Sequence, residues 1–205
     1  MKSVYKLKRL KKILLYIFSF LIIVIFSCFN QRVFNNSFYR YKIRYPENWI
    51  VVKPGELSRK SGDFKYPLDK YNLFPDYNKM DITFYNPKSL PPLLETIAVK
   101  SEQSRYSFNE LNEKMSFISD LILTEVKNKF NDATLLNYYK KELSAGFSFW
   151  YIYEFANQGK KYYFYYIILP GKLFATHYIM GICETNRLET FYDILNTTVL
   201  SFRKY

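Results

Sequence analysis

The residues able to do chemistry are few and far apart. The only histidine is His177, and the two cysteines are Cys28 and Cys183, so no disulfide framework can form. His177 and Cys183 fall in one apolar segment, about 172–183, that reads as a strand. Six residues along a strand, at ~3.3 Å each, place the two roughly 20 Å apart. That distance excludes a Cys–His nucleophile pair, and one His with one Cys does not make a zinc site of the usual kind. Ala175, Ile179, Gly181 and Cys183 share the face of His177, while Phe174, Tyr178, Met180 and Ile182 form the other. Two apolar faces predict a buried central strand and a hydrogen-bonded, structural histidine. Asp63, Asp69, Asp76 and Asp81 lie among Lys60, Lys65, Lys70 and Lys79 without calcium-loop spacing, which reads as a solvated loop rather than a cation site. No Gly-rich phosphate loop and no Gly-x-Ser-x-Gly elbow occurs. The inventory gives no catalytic residue, no metal site and no cofactor, and the chain reads as a non-enzyme.

The one residue whose setting implies a modification is Cys28. Residues 2–12 are basic, residues 13–27 (ILLYIFSFLIIVIFS) are apolar and uncharged, and Cys28 follows Ser27. This is the layout of a secretory signal, and its apolar run is shorter than the ~20 residues of a typical membrane-spanning helix. The stretch Ile25-Phe26-Ser27-Cys28 resembles a relaxed lipobox of the bacterial lipoproteins. The resemblance implies cleavage before Cys28 and acylation of its thiol and new amine, with Ser27 as the small residue before the cut; Phe26 is bulkier than the pattern's usual residue. An uncleaved signal anchor is the alternative. Either places the rest of the chain outside the cytoplasm, at the cell membrane or outer membrane.

Length and composition agree with one exported domain. The 205 residues are 49% hydrophobic and 23% charged, enough apolar content to fold. The net charge is +12, but six cations precede Cys28 and no acid precedes Glu47, so the exported part carries only +6. With its cations spread along the chain, that part is not expected to bind nucleic acid. Aromatic residues are abundant: 21 Tyr, 19 Phe and 2 Trp.

The expected organisation is a signal peptide (1–27), a lipidated Cys with an Asn-rich tether (28–37) and a folded domain (38–205). Alternation predicts strands over 39–45, 49–52, 81–85 and 96–100. Residues 54–78 form a long loop with turn formers and mixed charge. Ser107 and Glu110 form a capping box that starts a helix running to about Phe130, with Leu111, Met115, Ile118, Ile122 and Val126 as its apolar stripe. Strands follow over about 134–143, 147–155, 161–169 and 172–183, then a helix over about 187–198 with a cap from Asn186 and Glu189, and an extended tail.

This order resembles the PsbP-like superfamily, which includes the DcrB-like bacterial lipoproteins. The resemblance rests on the opening FYRYKIRYPENW (38–49) with its Tyr-Pro-x-x-Trp turn, and on the strand ending at Lys100 followed by the helix from Ser107. It also rests on the antiparallel strands with a hairpin near Gly159, and on the closing Val199-Leu200-Ser201-Phe202. It implies an α+β fold, an antiparallel β-sheet flanked by helices as an α/β/α sandwich, and a non-enzymatic interaction or assembly role. Two functions follow as expectations. One is a membrane-anchored module that binds an envelope protein, with Phe64, Tyr66, Tyr71, Phe74 and Tyr77 of the long loop as the candidate surface. The other is a binder of a lipid, glycan or peptide, using a cleft between the sheet and a helix. A filled sheet–helix interface favours the first; an open, Tyr-lined pocket favours the second.

Overall fold

The aromatic runs late in the chain build long strands because alternate residues find buried partners on both faces of a sheet. The computed structural model describes residues 31–56, 79–103, 107–144, 146–170 and 175–205. The strands are β1 (Gln31–Asn36), β2 (Tyr41–Pro46), β3 (Ile50–Val52), β4 (Ile82–Tyr85), β5 (Thr96–Gln103), β6 (Thr134–Leu143), β7 (Gly146–Asn157), β8 (Lys160–Pro170), β9 (Ala175–Glu184) and β10 (Arg203–Lys204). The helices are α1 (Phe108–Glu113), α2 (Met115–Lys127) and α3 (Leu188–Leu200). Seven strands form a sheet in the order β3-β4-β5-β9-β8-β7-β6, with every neighbouring pair antiparallel. The remaining three form a small antiparallel sheet, β1-β2-β10.

The large sheet carries an apolar core on each face. On one face Phe149, Tyr151, Tyr153 and Phe155 pack against Leu111, Ile122 and Val126 of α1 and α2. On the other, Ile97, Trp150, Tyr165, Ile167 and Ile179 meet Phe191, Leu195 and Val199 of α3, together with Tyr41, Ile43 and Tyr45 of β2. The α+β class with an antiparallel sheet is as expected. Among the described residues the structure is dominated by sheet, however, with fewer helices than a flanking-helix sandwich implies: α3 shares its face with the small sheet.

Three local expectations are corrected. The stretch expected to be a tether contains β1, whose Phe34 packs on Tyr41 at 6.1 Å between ring centroids. Its alternation is masked in sequence because it is an edge strand whose residues are at most half-buried. The helix from Ser107 keeps its capping box but breaks at Lys114 (φ −100°, ψ 12°) into α1 and α2. The last helix has no side-chain cap; a 3-10 turn at Thr185–Arg187 leads into it.

Trp49 follows the Pro46 turn, whose carbonyl accepts the Trp49 N–H at 3.1 Å. Its indole is 5% exposed and lies near-parallel to the Phe191 ring at 6.4 Å, so it seals the edge of the α3 interface. Replacing it by Ala leaves a cavity, and Trp49→Ala should cost about 3–5 kcal/mol in a urea titration of residues 31–205. A loss under about 1 kcal/mol would mean that the indole does not belong to the core.

Candidate functional site

A continuous polar chain crosses the otherwise apolar seam between the two sheets. It begins at Tyr41 on β2, passes through Asp81 just before β4 and Ser101 on β5, and ends at His177 on β9. Antiparallel register places Ser101 directly opposite His177. The Asp81 N–H donates to the Val99 carbonyl at 2.8 Å, which brings its carboxylate beside Ser101. The Tyr41 hydroxyl donates to Asp81 Oδ2 at 2.9 Å, and the Ser101 hydroxyl donates to the same oxygen at 2.6 Å. Ser101 has one proton and gives it to the carboxylate. His177 Nδ1 lies 2.8 Å from Ser101 Oγ, and with the serine proton on the carboxylate the Nδ1–H tautomer completes the chain.

This wiring differs from that of a nucleophilic triad. There the histidine accepts the serine proton and the carboxylate holds the histidine. Here the carboxylate contacts the serine, and the histidine stands at the far end of the chain with no carboxylate behind it among these contacts. The ring is buried, edge-on to Tyr41 at 5.2 Å and beside Phe202 at 4.9 Å. Burial, with a smaller push from Lys204, lowers the His177 pKa to about 4. Burial raises the Asp81 pKa, against the hydrogen bonds from Ser101 and Tyr41. Burial and then the Asp81 carboxylate push the Tyr41 phenol well above its ordinary value. His177 is thereby held as the neutral imidazole and Tyr41 as the phenol at neutral pH.

His177 also borders a cavity of about 710 Å³ at this end of the molecule, together with Phe38, Tyr39, Arg40, Gln103 and Lys204. That volume lies within the usual range of ligand pockets. Among the described residues the sheet–helix layer, by contrast, is packed. Tyr151, Tyr153, Tyr162 and Tyr165 are buried, and the Tyr153 hydroxyl donates to the Ser119 carbonyl at 3.0 Å. The cavity beside α2, lined by Ile122, Val126, Phe130, Phe164, Tyr166 and Met180 among others, is about 130 Å³.

The structural histidine and its central strand are where the sequence placed them. Asp81 is not: it leaves the expected solvated loop and becomes half-buried at the centre of the polar chain. Its place directly before the apolar Ile82–Tyr85 is the one sequence signal for this. Nothing in sequence brings positions 41, 81, 101 and 177 together, so Ser101 and Tyr41 carry no sequence signal as polar partners. Cys28, the other three aspartates, and Phe64, Tyr66, Tyr71, Phe74 and Tyr77 lie outside the described residues. Among the described residues no group of three His, Cys, Asp or Glu side chains is placed to hold a metal.

The buried neutral histidine has a pH signature. Its folded pKa lies below the unfolded value of about 6.5, so unfolding takes up a proton between the two. Stability should be fully present above pH ~6.5 and fall as pH drops toward 4, by on the order of 3 kcal/mol. Asp81 acts in the opposite sense: its raised pKa favours the folded state at low pH, and that contribution is lost as pH rises through the folded value. Urea midpoints measured between pH 4 and 7 should show the fall, and His177→Gln should flatten it. Equal slopes for both proteins would contradict the arrangement.

No family model matches the sequence, and no curated protein matches it. Solved structures do resemble it. The cyanobacterial PsbP (CyanoP) of Synechocystis is similar at 13% identity and a TM-score of 0.59, covering 86% of this chain and 93% of that one. LpqN of Mycobacterium tuberculosis, described as involved in cell envelope biogenesis, is similar at 10% identity over 84% of this chain and 88% of that one. Its TM-score of 0.46 is too low to support an inference. The likeness to CyanoP is one of fold, and it agrees with the opening and closing motifs of the sequence: the chain has a PsbP-like fold.

Proposed function

We propose that this protein is an exported lipoprotein, anchored through Cys28, whose PsbP-like domain is a non-enzymatic interaction or assembly module of the cell envelope. The observation that carries the reading is the filled layer between the Tyr-rich strands and α2. A domain that spends its aromatic strands on its own core offers partners a surface rather than a cleft there. The order of Asp81, Ser101 and His177 supports the same side, since the carboxylate contacts the serine and not the histidine. No helix among the described residues is long and apolar enough to cross a membrane. Anchoring then falls to the segment before β1, as the Ile25–Cys28 pattern implies. A second reading, a small-ligand binder, is favoured by one observation, the cavity of about 710 Å³ beside His177.

The proposed contact surface is the long loop with Phe64, Tyr66, Tyr71, Phe74 and Tyr77. It lies in the chain between β3 and β4, which pair directly with Val52 opposite Thr83, so the two strand ends on either side of it are already close. Shortening such a loop changes closure entropy by well under ~1 kcal/mol per halving. Replacing residues 58–77 by a short Gly/Ser linker should leave circular dichroism and the urea midpoint nearly unchanged. Capture of envelope proteins by the anchored chain should fall in the same variant. A variant that folds and captures as well as the parent would move the surface elsewhere. A variant that unfolds would make the loop aromatics part of the core.

A further inference from the structure

The small sheet has one face turned inward and one turned out. On β2, Tyr41, Ile43 and Tyr45 are buried, while Lys42 and Arg44 between them are exposed. Register places Arg203 of β10 opposite Lys42, Asn35 of β1 opposite Lys42 on the other side, and Val33 opposite Arg44. Opposed residues in a sheet share a face, so Lys42, Arg44 and Arg203 stand together on the outer one. No acid lies on that face in any of the three strands. The nearest in sequence, Glu47, is held by Arg32 at 3.2 Å. Lys42 lies over the Tyr205 ring at 5.0 Å, and Arg203 Nη1 donates to the carbonyls of Leu200 and Phe202. None of the three cations has a carboxylate partner among the described residues. They line a groove of about 350 Å³ between the sheet and the end of α3, into which Gln31, Val33 and Leu200 also face. Val33 and Leu200 are exposed apolar side chains beside the charges.

We propose that this outer face is the membrane-facing surface of the domain, with Lys42, Arg44 and Arg203 holding the phosphates of anionic phospholipid headgroups. The proposal rests on the reading that Cys28 carries the anchor. Three peptide links separate Cys28 from Gln31 at the start of β1, and they span at most ~11 Å. An acyl chain on Cys28 therefore keeps β1 within about a headgroup layer of the bilayer. The tether sets the distance, and the charge selects which face turns down. Val33 and Leu200 are placed to enter the boundary between headgroups and chains, where apolar side chains between cations are favoured. A cation near an anionic surface strengthens association about fivefold, so three supply roughly a hundredfold preference for this orientation. Free phosphate in solution has the same chemistry but is not held at the site by the tether, which is why the membrane is the occupant assigned.

The test uses the full chain, expressed with its signal and reconstituted into vesicles whose headgroups carry a fluorescence quencher. A fluorophore is placed at Val33→Cys on the outer face or at Ser116→Cys on α2, across the large sheet; the native Cys183 is buried. With phosphatidylglycerol mixed into phosphatidylcholine, quenching at position 33 should exceed that at 116 several-fold. The excess should disappear in high salt, in phosphatidylcholine alone and in Lys42→Gln/Arg44→Gln. The salt arm needs no further substitution, so it decides the matter even if the double variant folds poorly. Equal quenching at the two positions, or an excess at 33 that ignores charge and salt, would overturn the proposal. The intact mass of the same sample reports the Cys28 acyl group separately. A charge-dependent excess without an acyl group would uphold the face while removing the lipid anchor beneath it.

Discussion

The arrangement of the two sheets depends on a missing side chain in the middle of β9. Gly181 sits between Ile97 of β5 and Tyr165 of β8, at the centre of the large sheet. A Cβ there would lie 3.0 Å from Cζ of Phe191 and 3.1 Å from Cδ2 of Leu195. The Phe191 ring thus occupies the space a side chain would need, and α3 seats against the backbone of the sheet. Trp49 and Tyr165 close around the same ring. From that seat the rest follows along the chain. The end of α3 delivers Phe202 onto Tyr41, where the rings stack at 5.1 Å, and Ser201 Oγ accepts the Arg44 N–H at 2.7 Å. The small sheet is therefore held to the large one by the helix, and β2 is forced to divide its residues between a buried face and a cationic one.

The sequence revealed those parts of the fold whose signal is local. Strand patterning over 147–155 and 161–169 marked β7 and β8, the Ser107–Glu110 box marked the start of α1, and two apolar faces marked β9 as central. The Tyr-Pro-x-x-Trp turn, together with Ser201 and Phe202, pointed to the fold as a whole. Hidden were features whose cause is a distant partner. Phe34 is half-buried only because Tyr41 pairs beside it, so β1 read as a tether. Asp81 is drawn out of solvent by Tyr41 and Ser101, forty residues before it and twenty after. The outer cations read in sequence as ordinary alternation, and only the pairing of β10 with β2 gathers them.

The buried polar chain and the outer cations answer different needs. The chain from Tyr41 to His177 satisfies groups that would otherwise be costly in an apolar seam, and it ties three strands and the small sheet to one geometry. It is placed to specify how the sheets sit. The cations stand on an open face without carboxylate partners among the described residues. The proposed role in association accounts for both observations with one domain, its interior given to packing and its cations left on the surface.

That account depends on where the mature chain begins and what it carries there. The most direct measurement is mass spectrometry of the amino-terminal peptide from protein purified out of its own membranes. The account predicts a peptide that starts at Cys28 and carries a thioether-linked diacylglyceryl group. A chain retaining residues 1–27, or a peptide starting at an unmodified Cys28, would contradict it.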